Sequence, residues 1–426
     1  MEEKHLIDGI QPNEGSIYPQ DTNELSSALS DITEPGKVVV PIGGATRLQI
    51  GAKISHYDYA LDLSNMNHLV AHNSADLTCI VQSGITLHSL QNQLKEKEQF
   101  LAVDAAFPPK ATIGGTLASN APGHLRWQMA HMRDMVIGMQ VVLPSGTVTK
   151  SGGPVVKNVS GYDMARLHVG GYGTLGVISE ISFKLTPLPR QQGSFLVGFQ
   201  SENDLQNFSE EVFDSYVMPL ALTGINENLI KTLQIDVPQC QYLMVIRIGG
   251  RKMAFERQLN ILNKMVDQYQ NSNTYLLEQN ASDPLWQKIR DFRGYGSNSS
   301  ITGRVFSTPT RLRSLLRDIV NYFEEMGSTL AICIQPGFGT MEFFIDNLPA
   351  ESKVRSTQVI DQIHNIARQN QSHINYEKLP ADFKNGFNMW GQVNEGSLGI
   401  MRSLRDTYDP GKKLNRGRYL TDKEDN

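Results

Sequence analysis

Apolar residues in the first half of the chain fall into short runs, many with alternating polar positions, which a glycine, proline or asparagine usually ends. The clearest runs are KVVVPIGG, ALDLSN, TCIVQSG, MVIGMQVVLPSG and GVISEISFKLTP. Runs of this length and composition predict strands. A helical pattern stands out at residues 87–97, where Leu87, Leu90 and Leu94 recur at spacings of three and four. The pattern therefore predicts a mixed α+β unit that ends near residue 190, after Pro187 and Pro189.

Residues 194–377 show a different and more regular order. A first pass reads SFLVGFQ, a helix near 204–215, PLALTGIN, QYLMVIRIG, a helix near 253–270 and TYLLEQ. A second pass reads GRVFSTP, a helix near 311–326, TLAICIQ, TMEFFID, a helix near 354–369 and HINYEK. Two passes of strand–helix–strand–strand–helix–strand predict ferredoxin-like repeats that form an antiparallel sheet covered by helices. We therefore expect a first domain over 1–190, a cap domain on the substrate side over 191–390, and a helix and tail over 391–426 that return to the first domain.

Composition narrows the classes of partner. The 426 residues include 39 Lys and Arg against 44 Asp and Glu, without a long basic run, so nucleic acid is not an expected partner. The three cysteines lie far apart and lack the spacing of a metal site or redox pair. The first residues, MEEKHLIDGIQ, do not read as a signal peptide, and the chain has no apolar run of about 18 residues, so we expect a cytoplasmic protein without a transmembrane segment.

The stretch PIGGATRLQIG, residues 41–51, follows directly on an apolar strand. A glycine pair after a strand is compatible with an ordinary turn, because glycine adopts positive φ without steric cost. It is equally compatible with a nest of backbone N–H groups that receives phosphate oxygens, with Thr46 and Arg47 as further donors. The stretch alone leaves both interpretations open.

Three further glycine-rich or charged stretches follow in order: FPPKATIGGTLASNAPG at 107–123, MRDMVIG at 132–138 and KNVSGYDMARLHVGGYGTLGVISE at 157–180. Within the last, residues 171–176 match the pattern G-x-G-x-x-G of dinucleotide folds. That fingerprint requires a following helix, whereas VISEISFKL reads as a strand, so the Rossmann interpretation fails. The first stretch likewise lacks the spacing and the Gly-Lys-Ser/Thr of a Walker A loop.

Taken together, these four stretches resemble the ordered segments of the FAD-binding domain of the PCMH-type (vanillyl-alcohol oxidase) superfamily. Within it they are most similar to FAD-linked oxidases of the glycolate oxidase and D-lactate dehydrogenase group, and in particular to its FAD-binding subunits. The resemblance implies FAD as cofactor, held non-covalently because the first loop contains no histidine and the second stretch no cysteine. It implies that the cofactor is contacted by Ile42, Gly43, Gly44, Ala45, Thr46, Arg47, Thr112, Gly114, Gly115, Ala118, Asn120, Gly123, Asp134, Ile137, Gly176, Val177, Ile178 and Asn415.

The same resemblance implies oxidation of a small 2-hydroxy acid by hydride transfer to the flavin. Such a reaction requires a base for the hydroxyl proton and a cation for the carboxylate. Candidates for the cation are Arg126, Arg293 and Arg304, and candidates for the base are His124 and His131.

Full catalytic members of the group resemble one another in a metal motif of the form His-x-Gly-Asp-x-Asn-x-His, which this sequence lacks, so we expect no metal. Two functions stay open. In the first, the protein is a flavoenzyme that passes electrons to an iron–sulfur partner or another acceptor. In the second, it is an accessory FAD-carrying subunit that relays electrons in a glycolate oxidase complex, in which a second flavoprotein subunit is catalytic. A binding module whose glycines are purely structural is a third possibility.

Overall fold

The computed structural model describes residues 5–121, 123–125, 131–153, 162–270, 272–295, 300–326, 330–346, 353–380, 383–384, 389–391 and 393–420. The helices of four or more residues in these ranges are α1 Thr22–Asp31, α2 Leu87–Lys95, α3 Ile113–Ala118, α4 Met132–Met135, α5 Ala165–His168, α6 Glu202–Asp214, α7 Glu227–Thr232, α8 Lys252–Val266, α9 Gln279–Arg290, α10 Pro309–Glu325, α11 Lys353–Gln369 and α12 Glu395–Tyr408. Short 3-10 helices at Leu63–Asn65, Phe292–Tyr295 and Pro336–Phe338 connect some of the strands.

The strands of these ranges number eighteen and account for the α+β class expected from the sequence. They are β1 Gly15–Ile17, β2 Val39–Ile42, β3 Tyr59–Asp62, β4 Leu69–Asn73, β5 Thr78–Gln82, β6 Gln99–Phe100, β7 Val136–Val142, β8 Val148–Gly152, β9 Val177–Lys184, β10 Thr186–Pro187, β11 Gln191–Phe199, β12 Ala221–Asn226, β13 Tyr242–Gly250, β14 Asn273–Glu278, β15 Ile301–Phe306, β16 Ala331–Gln335, β17 Thr340–Ile345 and β18 His373–Lys378.

The chain divides into two compact units. Unit 1 consists of residues 1–123, 130–188 and 393–426, and unit 2 of residues 124–129 and 189–392. The short segment 124–129, which the sequence pattern placed inside the first domain, groups with unit 2. The division otherwise follows the change of pattern near residue 190.

Unit 1 contains a three-stranded parallel sheet in the order β1-β3-β2 and a five-stranded antiparallel sheet in the order β4-β5-β9-β7-β8. Helix α1 begins after Asp21, whose carboxylate accepts from two N–H groups of the first turn. Its Leu25 and Leu29 are fully buried in a cluster with Val39 of one sheet and Val142 of the other. Burial of each leucine contributes about 2 kcal/mol to the stability of the fold. Helix α1 therefore packs against both sheets and connects them.

Both ends of the chain contribute to unit 1. Leu414 forms a parallel bridge with Val39 of β2, and Asn415 donates its N–H to the Val39 carbonyl at 3.0 Å. Nearby, the fully buried Arg418 donates to the carbonyls of Leu48 and Ile50 at 2.5 and 2.8 Å. The segment 413–418, called the tail segment below, therefore completes the edge of the parallel sheet.

Unit 2 contains an eight-stranded antiparallel sheet in the order β14-β11-β13-β12-β16-β17-β15-β18. Strands β11–β14 with α6 and α8 form one ferredoxin-like repeat, and β15–β18 with α10 and α11 form the other. The repeats join edge to edge where β12 pairs with β16. Apolar side chains of one face, from Phe195 to Tyr376, form the main core beneath these helices.

Candidate functional site

The first glycine loop, residues 43–47, leaves β2 after the buried Ile42. A Cβ added to Gly43 would lie 2.1 Å from the Thr112 hydroxyl oxygen, and a Cβ on Gly44 would lie 1.6 Å from the Lys110 carbonyl oxygen. Ala45 adopts a φ of 56°, which is uncommon for a residue with a side chain. The glycine pair is thus required by close packing against residues 110–112, the start of the second predicted segment.

Helix α3 carries the second segment. Its cap, Thr112, accepts the Gly115 N–H at 3.3 Å, and Gly114 donates its N–H to the Ser83 carbonyl at 2.7 Å. A Cβ on Gly114 would lie 2.5 Å from the Ser83 Cβ, so this glycine is also required by packing. Gly115 and Asn120 are exposed and Ala118 is half-buried, which leaves this part of the segment accessible.

The fourth predicted segment docks onto α3 through backbone hydrogen bonds. Tyr172 donates its N–H to the Ala118 carbonyl at 2.8 Å, and Gly170 donates to the Leu117 carbonyl at 3.0 Å. Both Gly170 and Gly173 have positive φ, at 76° and 66°. The turn at 170–173 therefore lies directly beside the end of α3.

Asn415 of the tail segment contacts the same turn. Its side-chain amide donates to the Tyr172 carbonyl at 2.8 Å, and Tyr172 stacks on Tyr419 with ring centroids 4.4 Å apart. The glycine loop, α3, the turn at 170–173 and the tail segment thus lie beside one another within unit 1. Separate stretches of sequence, spread over more than 370 residues, meet at this place.

Most of the remaining cofactor candidates lie on α4 and on the strands β7 and β9 of the antiparallel sheet, or directly beside them. Asp134 of α4 accepts the His131 N–H at 3.3 Å, and its other oxygen lies 3.6 Å from Arg166. Ile137 lies near the start of β7, whereas Val177 pairs with Val142 at its far end. These two positions of β7 are separated by roughly 16 to 17 Å at the usual rise per residue. Only an elongated ligand could contact both.

Several candidates make structural contacts of their own. Val177 and Ile178 are buried and paired with β7. A Cβ on Gly176 would lie 2.6 Å from a Val141 methyl group, and a Cβ on Gly123 would lie 2.0 Å from an Asp104 carboxylate oxygen. Thr46 and Arg47 lie half-buried in the turn that follows the glycine pair.

The convergence fits a flavin dinucleotide by two observations. The close approach at Gly43 and Gly44 forms a cradle without side chains, in which backbone N–H groups can receive a diphosphate. Among the described residues, the buried Asn415 Oδ1 and Ser83 Oγ lack a hydrogen-bond partner. Such atoms are uncommon in folded proteins and are satisfied when a bound group supplies a polar atom.

Unit 2 contains a cluster of charged side chains whose pairing was not predicted from the sequence. On the sheet face opposite the main core, β15 presents Arg304, β17 presents Glu342 and β18 presents Glu377. The clearest sequence signal was TMEFFI, in which Glu342 is the single charged residue of a largely apolar strand. Charges on such strands are rarely buried unless paired.

These charges form a cluster of two arginines and two glutamates, called the charge quartet below. Arg293 is paired with Glu342 and, at 3.1 Å, with Glu377. Arg304 lies 3.2 Å from Glu342 and is also paired with Glu377. Burial alone would raise the pKa of Glu342, but attraction to Arg293 and Arg304 outweighs it, so the pKa is lowered. Arg293 and Arg304, the two cation candidates in unit 2, are thus paired with carboxylates of the chain itself.

His124, a candidate base, is buried within unit 2. Its Nδ1 lies 2.9 Å from the Thr223 hydroxyl and 3.3 Å from the Gln335 amide nitrogen, and its ring lies 5.7 Å from that of Trp286. His131 lies in unit 1, where it precedes α4 and is half-buried. Arg126 falls outside the described residues. The structure therefore separates these histidines into different environments, and their role in catalysis stays a prediction.

Within the described ranges, His, Cys, Asp and Glu side chains do not gather in groups of three that could hold a metal ion. The described helices likewise include none that is long and apolar enough to cross a membrane.

The histidine that closes α5 gives a stability prediction for unit 1. Burial lowers the pKa of His168 to about 4, and its ring contacts Tyr408 edge-on at 6.5 Å. In the unfolded chain the histidine has its ordinary pKa of 6.5 and binds a proton more readily than in the folded protein. The folded state should therefore lose stability as the pH falls from 6.5 towards 4. We expect His168→Phe to remove about 2 kcal/mol of that loss between about pH 7 and about pH 4.5. Urea unfolding of both proteins at about pH 7 and about pH 4.5 measures it; equal losses in both proteins would contradict the assignment.

The fold defines the class of protein. The structure is similar to that of p-cresol methylhydroxylase with substrate bound, with a TM-score of 0.74 and 14% identity over 98% of this chain and 91% of the other. This likeness confirms the PCMH-type fold. Residues 14–152 match the family described as FAD binding domain.

Relatives of known activity belong to the group expected from the sequence. The chain is 29% identical to mitochondrial D-lactate dehydrogenase [cytochrome] of Arabidopsis thaliana over 64% of its length, and 28% identical to glycolate oxidase subunit GlcD of Bacillus subtilis over 51%. It is 30% identical to glycolate oxidase subunit GlcE of Escherichia coli over 47%. The matches span 48%, 46% and 55% of those relatives, about half of each.

Proposed function

We propose that the protein is an FAD-dependent oxidoreductase of the glycolate oxidase and D-lactate dehydrogenase type. In this proposal it removes a hydride from a small 2-hydroxy acid and passes the electrons to a partner protein. The supporting observation is the convergence of the glycine loop, α3, the turn at 170–173 and the tail segment in the unit that contains the FAD binding domain.

The residues of unit 1 would hold the cofactor without a covalent bond. The N–H groups of the glycine loop would receive the diphosphate, and Arg47 would add positive charge there. Asn415 would offer its buried oxygen to a donor of the cofactor, and the accessible part of α3 would lie along it. When bound, FAD supplies the hydride acceptor.

A second candidate function is supported by the charge quartet. Binding of a substrate carboxylate requires a cation, yet the guanidinium groups of Arg293 and Arg304 are already paired with Glu342 and Glu377. In this alternative the chain is an FAD-carrying subunit that relays electrons, and a sister flavoprotein oxidises the 2-hydroxy acid. The similarity to both GlcD and GlcE, each named as a subunit of glycolate oxidase, favours an assembly of several subunits. The proposed assembly also includes an iron–sulfur subunit as electron acceptor.

The three cysteines are unpaired and buried, which supports a reducing compartment such as the cytoplasm as the site of action.

Purified protein loaded with FAD, assayed alone with glycolate and with D-lactate and an artificial electron acceptor, separates the two candidates. Turnover supports the enzyme. Bound flavin that is not reduced by either acid supports the relay subunit, and we then expect reduction of this flavin only after the sister flavoprotein is added. Acid precipitation should release the flavin into solution if it is not covalently attached. Protein that takes up no FAD at all would contradict both candidates.

A further inference from the structure

A buried hydrogen-bonded chain lies at the edge of the parallel sheet in unit 1. The His5 Nε2 lies 2.7 Å from an Asp62 carboxylate oxygen, and the Ser16 hydroxyl oxygen lies 2.9 Å from His5 Nδ1. His5 is 1% exposed and Asp62 is fully buried. With Nε2 protonated, the ring donates to Asp62 and accepts from Ser16, so one imidazole joins the N-terminal segment to the ends of β1 and β3.

Asp62 occupies a position that the cofactor loops share. It is the register partner of Ile42, the residue directly before the glycine loop. Its second carboxylate oxygen accepts the Ser64 N–H at 3.0 Å and caps the 3-10 helix Leu63–Asn65. Asp62 therefore links two elements: its strand position pairs with the end of β2 that carries the glycine loop, and its carboxylate caps the short helix that follows β3.

That short helix leads to the second cofactor segment. The Met66 carbonyl accepts the Gly84 N–H at 2.8 Å, and a Cβ on Gly84 would lie 1.8 Å from the Leu63 carbonyl oxygen. Next to Gly84, the Ser83 carbonyl accepts the N–H of Gly114 in α3. A displacement of Asp62 is thus transmitted to the glycine loop on one side and to α3 on the other.

We propose that His5, held by Ser16, is a positioning residue for FAD: through Asp62 it sets the spacing between the glycine loop and α3. The inference rests on the proposed FAD site but assigns a role to residues outside it. In metal sites, removal of the interactions that orient the ligands typically changes affinity or activity by about 10-fold to 100-fold, and we expect an effect of similar size here.

The test compares His5→Phe with His5→Gln and with a matched control, His72→Phe. Glutamine can still donate to Asp62 and accept from Ser16, whereas phenylalanine can do neither. His72 of β4 makes a similar hydrogen bond, 2.9 Å from its Nε2 to Gln99 Oε1, but pairs with Cys79 near the end of β5 remote from Ser83. The Kd for FAD of each apoprotein is measured by titration, and its stability by urea unfolding without FAD.

We expect His5→Phe to raise the Kd for FAD by about tenfold or more, and His5→Gln to stay within about threefold of the wild type. His72→Phe should lower stability without weakening FAD binding. The proposal is overturned if His5→Phe lowers stability but leaves the Kd unchanged, or if His72→Phe raises the Kd as much. If His5→Phe does not fold, Ser16→Ala removes one hydrogen bond only and should still raise the Kd. A wild-type protein without affinity for FAD would instead contradict the proposed function itself.

Discussion

Gly44→Ala should yield a protein that retains almost no FAD. A Cβ at this position would lie 1.6 Å from the Lys110 carbonyl oxygen, a backbone atom that cannot rotate away. The glycine loop and residues 110–112 would therefore have to separate, and a displacement of about 1 Å at a binding site can reduce function about 100-fold. The ratio of visible flavin absorbance to protein absorbance after purification, and the Kd of the apoprotein for FAD, measure the effect.

Gly411→Ala is the matched control for this substitution. Gly411 also lies in unit 1, but a Cβ there would have no heavy atom within 4 Å. We expect this variant to keep its flavin. Normal FAD content in Gly44→Ala would show that the two segments can move apart without loss of the cofactor, and the cradle would then have no role in binding.

Glu342→Leu should strongly destabilise unit 2. The side chain is 4% exposed and lies between the buried Arg304 and the half-buried Arg293, so its removal leaves positive charge that water solvates poorly. Breaking a buried ion pair in this way costs about 3–5 kcal/mol. We expect the additional substitution Arg304→Met to recover part of the loss, because the remaining Arg293 and Glu377 balance each other. Urea unfolding of the single and double variants measures the coupling, and strictly additive losses would contradict it.

An exposed glutamate provides the comparison. Glu256 lies 3.9 Å from Lys252 on the surface of α8, and Glu256→Gln should change stability by less than about 0.5 kcal/mol.

The charge quartet also predicts the direction in which stability depends on pH. Because the pKa of Glu342 is lowered in the folded state, its contribution is present above the ordinary carboxyl range and is lost as the pH falls through the lowered value. In Glu342→Leu the free energy of unfolding should therefore fall less steeply as the pH is lowered into the acid range.

The sequence predicted the architecture well where local patterns carried the information. The two strand–helix passes over residues 194–377 became two ferredoxin-like repeats, because alternation and helical periodicity each depend on neighbouring residues. The join between the repeats, at β12 and β16, could not be predicted, since strand pairing depends on contacts remote in sequence. The place of residues 124–129 in unit 2 was hidden for the same reason.

The two candidate sites differ in how far they could be read. Glycines reveal close backbone approach, so the pairing of residues 43 and 44 with residues 110–112 left a trace in the sequence. The charge quartet left little trace in the sequence. Arg304 and Glu377 lie 73 residues apart, and each resembles an ordinary charged residue of a strand. His5 was overlooked because a lone histidine near the start of a chain carries no pattern.

The tail segment bears on the order of events during synthesis. Arg418 donates to the Leu48 carbonyl, 370 residues earlier in the chain. At a translation rate of roughly 5–20 residues per second, the ribosome needs roughly 20–70 s to make the intervening chain. Throughout that interval the parallel sheet lacks its C-terminal edge, and the turn at 170–173 lacks Asn415. The complete convergence of the four segments can accordingly form only after the tail segment has been synthesised.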